Sequence, residues 1–131
     1  MIKPVVRYMI LCDDWEQDLV SSRRLNILGL ITNIRSHLDP PFPLVRDELC
    51  VFLVLTECRG TGEGDIRCVF EETGEVVFTT AKQSVRFGND PLEVVGMAFR
   101  IRNCRFPYSG LYSVQFWYNN DLVEERPLRL R

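Results

Sequence analysis

The stretch "ELCVFLVLTEC", Glu48 to Cys58, decides the fold. Its apolar residues fall on odd and even positions alike, so an extended strand here has no polar face. Such a run, rich in Val, Phe and Leu and bounded by acids, reads as a central strand covered on both faces. A central strand needs a neighbour on each side, and the chain supplies strand-like text in both directions.

Upstream, "PVVRYMILC" (Pro4 to Cys12) is β-branched and apolar and is halted by Asp13 and Asp14. "LNILGLITNI" (Leu25 to Ile34) carries Gly29, which suggests a bulge or a close backbone approach. Downstream, "RGTGEG" reads as a flexible turn into "DIRCVFEE", and Thr73-Gly74 turns the chain into "EVVFTT". In "EVVGMAFRIR", Val95, Met97, Phe99 and Ile101 share one face, against Gly96, Ala98, Arg100 and Arg102 on the other. The last two strands are "GLYSVQFWY" and "LVEERPLRL". Tyr112, Val114, Phe116 and Tyr118 share the core parity, while Asn119, Asn120 and Asp121 tolerate positive φ and close a tight turn. Read as a three-residue loop, that turn sets Leu122, Leu128 and Leu130 opposite the core face. Glu124 and Arg126 then point inward unless a bulge or an edge position near Pro127 relieves them.

No window carries an amphipathic helix; "EQDLVSSRRL" and "PLVRDEL" offer one turn each. The expectation is an all-β, antiparallel two-sheet sandwich of seven to eight strands, a single domain over residues 1–131. "SHLDPPFPLV" holds three of the seven prolines and reads as a stiff crossover between the sheets.

Four landmarks come in order: "CDD" closing the first strand, "NILGL" (Asn26 to Leu30), a Pro-rich entry to the central strand, and a Pro-x-x-Gly-x-Tyr-led final hairpin. Together they resemble an uncharacterised family of small bacterial β-sandwich proteins, a domain of unknown function. The resemblance implies an immunoglobulin-like sandwich in a bacterial cytoplasmic protein. It brings no activity, substrate or catalytic residue.

The net charge of -2 gives no electrostatic footprint for nucleic acid, so none is expected as a partner. No apolar run approaches the roughly 20 residues of a spanning helix, so no membrane partner is expected either. Pro4 and Arg7 interrupt the short apolar start, and no secretory leader is expected. Five cysteines (Cys12, Cys50, Cys58, Cys68, Cys104) without CxxC spacing read as reduced thiols of a cytoplasmic protein.

Asp13, Asp14, Glu16 and Asp18 offer hard oxygen ligands of the type calcium takes, but neither a turn glycine nor a closing Glu completes a calcium loop. A Cys–His dyad would have to bring the lone His37, oriented by Asp39, to Cys12 or Cys104. The glycines of "RGTGEG" are flanked by Glu63 and Asp65, which repel phosphate. Arg86, Arg100, Arg102 and Arg105 form a basic stripe without interleaved aromatics and read as ion-pair partners. Trp117 lies off the core parity, where it is either covered by a neighbouring strand or loop or exposed for a partner, and it is the candidate partner-binding residue. The sequence therefore points to a non-enzymatic interaction or structural module without cofactors. Its expected partner is another protein, a second copy included. The alternative is a sandwich that binds a cation or small ligand with the acidic loop after the first strand.

Overall fold

The computed structural model describes residues 3–17 and 25–131. Ten strands lie among them: β1 (Val5–Gln17), β2 (Leu25–Leu30), β3 (Asn33–Ile34), β4 (Leu44–Thr56), β5 (Gly60–Phe70), β6 (Val76–Thr79), β7 (Gln83–Phe87), β8 (Val95–Phe106), β9 (Gly110–Tyr118) and β10 (Asp121–Leu130). They form two sheets, neither closed into a barrel. The first runs β2-β1-β4-β8 and the second β3-β10-β9-β5-β6, with β7 also paired to β5.

β4 occupies the central place that its sequence demands. It pairs with β1 from Val5↔Thr56 to Cys12↔Cys50, and with β8 from Leu44↔Phe106 to Leu55↔Val95. Leu49, Val51, Leu53 and Leu55 enter the core, and Cys50 and Phe52 are buried on the other face. Each large aliphatic side chain withdrawn in this way contributes roughly 1.5–3 kcal/mol. The second sheet answers with Ile66 and Phe70 from β5, Tyr112, Val114 and Phe116 from β9, and Leu128 and Leu130 from β10.

Ten strands replace the expected seven to eight for two reasons. "LNILGLITNI" divides between the sheets, β2 pairing with β1 and β3 with β10. β7 is a short strand whose Val85 and Phe87 reach the core. The β3–β10 pair is parallel, so the sheets are not wholly antiparallel.

"RGTGEG" is the start of β5 rather than a turn. Gly60 to Gly64 pair with β7, and a Cβ at Gly62 would collide with the Tyr118 ring. Gly62 and Gly64 therefore make room for aromatic side chains. Gly29 adopts φ of 66°, and a Cβ there would collide with the Asp13 carboxylate, which is the close approach expected at that position. "PLVRDEL" lies within β4 from Leu44 onward, while most of "EQDLVSSRRL" falls outside the described residues.

The final hairpin turns on two residues, Asn119 and Asn120, both at positive φ. Tyr118 then faces Asp121, and the bulge lies between Leu122 and Glu124 rather than at Pro127. Leu128 and Leu130 reach the core; Glu124 and Arg126 pair with each other at 3.1 Å. At the other end of β9, the Tyr112 hydroxyl donates to the Tyr108 carbonyl (2.7 Å) and accepts from the Tyr108 amide (3.1 Å). Replacing Tyr112 by Phe removes both partners from that backbone corner. Urea unfolding of Tyr112→Phe is expected to show a loss of about 1–2 kcal/mol at unchanged denaturant slope; unaltered stability would show the corner to be held by packing alone.

Candidate interaction site

The acidic stretch is not a loop. β1 continues through it to Gln17, with Asp14↔Leu28, Trp15↔Ile27 and Glu16↔Asn26 across to β2. Asp13 meets Arg46 of β4, and Asp14 meets Arg100 of β8. Arg100 also donates to the Trp15 carbonyl (2.9 Å), reaches Glu48 (3.4 Å), and lies 5.1 Å from the Trp15 ring centroid. The Trp15 ring packs 6.0 Å from Phe52. Two of the four candidate ligands thus engage guanidinium groups, Glu16 is exposed within β1, and Asp18 lies outside the described residues. Among the described residues no three His, Cys, Asp or Glu side chains are grouped to hold a metal ion.

The thiols are all free and buried. Burial pushes Cys50 up to about 12 and Cys104 up to about 11, and raises Cys12 and Cys68 as well. His37 is exposed in the Pro-rich crossover. Of the basic stripe, Arg100 is ion-paired as expected, whereas Arg86, Arg102 and Arg105 have no carboxylate partner among the described residues.

Trp117 stands on the outer face of the second sheet, half-buried, and directly opposite Asp65 of β5. Its indole Nε1 donates to Gln115 Oε1 at 3.0 Å. The Arg67 guanidinium stacks on the ring at 4.1 Å from its centroid, and Arg67 Nε donates to Asp65 Oδ2 at 2.8 Å. Asp65 is 1% exposed, and its Oδ1 has no hydrogen-bond partner. A rigid assembly results: the carboxylate anchors the guanidinium, and the guanidinium and Gln115 fix the indole. Sequence reading singled out Trp117 but missed Asp65, Arg67 and Gln115. The signal was present, because Asp65/Arg67 and Gln115/Trp117 are each spaced by two, as residues on one strand face must be.

These observations define an all-β protein of two facing sheets with a fixed Trp–Arg–Asp group on one outer face. The chain belongs to DUF6941, a family of unknown function, whose model matches residues 7–131. None of the curated proteins compared matches it. Among solved structures it is similar to Pseudomonas fluorescens alkylpurine DNA glycosylase AlkC bound to DNA containing an abasic site analog. The identity is 16% and the TM-score 0.45, over 76% of this chain and 27% of that one. The chain therefore spans little more than a quarter of that protein's chain, and the likeness assigns it no activity.

That structure contains DNA, and the expectation that nucleic acid is no partner does not stand, because a net charge of -2 alone excludes none. Net charge governs attraction at long range, whereas a local group of arginines acts within a screening length of about 10 Å. No helix among the described residues is long and apolar enough to cross a membrane.

Two outcomes follow from this geometry. Arg67→Ala leaves Asp65 buried and uncompensated, so it is expected to cost about 2 kcal/mol or more in urea unfolding, largely recovered by adding Asp65→Ala. Full additivity of the two losses would break the proposed anchoring. The raised thiols give a pH dependence: the native state keeps Cys50 and Cys104 protonated where the unfolded chain, at the ordinary value of 9.0, releases the proton. Their contribution is complete below pH 9 and is lost as pH climbs toward the folded values. The urea midpoint should fall between about pH 9 and pH 11, and a flat midpoint there would contradict it.

Proposed function

We propose that the chain is a non-enzymatic protein-interaction module whose contact surface is the outer face of the second sheet around Trp117 and Arg67. The observation that carries this reading is the fixed indole–guanidinium stack on the buried Asp65. Trp and Arg are the side chains most enriched among residues that dominate binding energy, and pre-ordering them lowers the entropic cost of association. Arg67 Nε is committed to Asp65, while its terminal nitrogens make no hydrogen bond among the described residues and remain available to a partner's acceptor. Leu122, exposed beside Trp117 in the ladder, adds apolar area.

Non-enzymatic action is supported by thiols held in their protonated form by burial. Five buried free thiols also support a reducing, cytoplasmic setting. The Tyr112 corner supports the immunoglobulin-like relation, since such sandwiches tie a tyrosine hydroxyl to backbone a few residues upstream.

The test compares partners enriched by the tagged wild-type protein with those enriched by Trp117→Ser and by a distant control, Val76→Ser, in the native cell. Direct titration of the recovered partner should show at least about a tenfold loss for Trp117→Ser and none for the control. Equal affinity for wild type and Trp117→Ser would remove the assigned surface. The cation-binding alternative requires displacement of Arg46 and Arg100 from Asp13 and Asp14. Millimolar calcium is accordingly expected to leave the thermal midpoint in place, and a rise lost in Asp14→Asn would favour that alternative.

A further inference from the structure

β3 and β10 form the parallel pair at one edge of the second sheet, with Arg129↔Asn33 and Leu130↔Ile34. The ladder continues beyond them. The Arg131 amide donates to the Ile34 carbonyl (2.9 Å), and the Arg131 carbonyl accepts from the Ser36 amide (2.6 Å). Bonds to the residues on either side of Arg35 set Arg35 directly opposite Arg131, as parallel pairing requires. Ile34, Leu128 and Leu130 are buried on the inner side, so Arg35, Arg129 and Arg131 share the exposed outer side. Like charges directly opposite one another are unfavourable in a sheet. Among the described residues, no Asp or Glu side chain lies within ion-pairing distance of any of the three.

Arg129 and Arg131 border an open hollow of about 510 Å³. Pro41, Phe42 and Leu130 give it apolar walls, and Ser109, Gly110, Arg129 and Arg131 complete its lining. Its complement carries negative charge next to apolar surface. Phe42 packs against the core rather than standing free as a stacking platform for bases. An open hollow also suits a side chain of a larger partner better than it suits a free small molecule, which would need enclosure.

We propose that this hollow docks an acidic segment of a partner protein. The Arg129 and Arg131 guanidinium groups, with Arg35 beside Arg131, hold its aspartate or glutamate carboxylates, and a neighbouring apolar side chain rests against Pro41 and Phe42. The surface is distinct from the Trp117 group, which lies seven residues away along β9, roughly 23 Å. It therefore stands or falls separately.

Fluorescence anisotropy with a fluorescein-labelled peptide of sequence Glu-Glu-Leu-Glu-Glu-Phe tests it, beside the same peptide with Gln for each Glu and a labelled oligothymidine. Saturable binding of the Glu peptide is expected. It should weaken about tenfold in the Arg129→Gln, Arg131→Gln double variant and about tenfold with the Gln peptide, and remain unchanged in Trp117→Ser. The thermal midpoint of Arg35→Gln should hold or rise, because a like-charge neighbour is removed. Absence of saturable binding, equal affinity for the double variant, or arginine-dependent preference for oligothymidine would each overturn the acidic-segment assignment. A fall in the Arg35→Gln midpoint would do so too, by making the arginines structural.

Discussion

Burial of β4 on both faces is the constraint from which the other arrangements follow. A strand with Leu49, Val51, Leu53 and Leu55 on one side and Cys50 and Phe52 on the other cannot lie at an edge, and it cannot leave either face to water. The first requirement places β1 and β8 beside it. The second is met inside by the facing sheet and outside by a local cover. Trp15 packs on Phe52, and Arg100 reaches from β8 across to Asp14 and the Trp15 carbonyl. The acids that look like chemistry in the sequence therefore hold in place the cationic part of that cover. Their ion pairs are solvated and screened, so their contribution lies in position more than in energy.

The parts of this fold legible in the sequence are those set by local periodicity. Tyr112, Val114, Phe116 and Tyr118 alternate because a strand repeats every two residues, and all four are buried. Val95, Met97, Phe99 and Ile101 follow the same rule until Asn103, at φ of 54°, after which the buried positions pass to Cys104 and Phe106. A single polar residue with positive φ is not distinguishable by composition from any other exposed asparagine. The extension of β1 was illegible for a different reason. Asp13 and Asp14 read as a stop because their partners, Arg46 and Arg100, lie 33 and 86 residues away. Likewise the glycines of β5 signal a turn locally, and only the Tyr118 and Phe116 rings make them a strand.

The candidate site divides along the same line. Trp117 was legible as an aromatic residue off the core parity, whereas its surroundings depend on pairing between strands β5 and β9. Asp65 in particular reads as the polar end of a glycine-rich turn, yet it is among the few polar residues that are buried. A carboxylate leaves water only where a cation and good geometry compensate, and Arg67 supplies both.

The two outer faces use one device in two settings. In each, a guanidinium lies over an indole and is tethered to an aspartate: Arg100 over Trp15 on Asp14, and Arg67 over Trp117 on Asp65. On the first sheet the carboxylate is about half-exposed and the guanidinium is 42% exposed, while the indole Nε1 is buried without a partner. There the tryptophan is spent on covering Phe52, and the ion pair faces water. On the second sheet the order is reversed. The carboxylate is withdrawn from water, the indole Nε1 is satisfied by Gln115, and the stacked pair is what the surface presents. Withdrawing Asp65 carries a desolvation cost that a covering role does not require, since an apolar residue would cover the strand without it. What that cost secures is a fixed orientation of the half-buried Arg67 and Trp117.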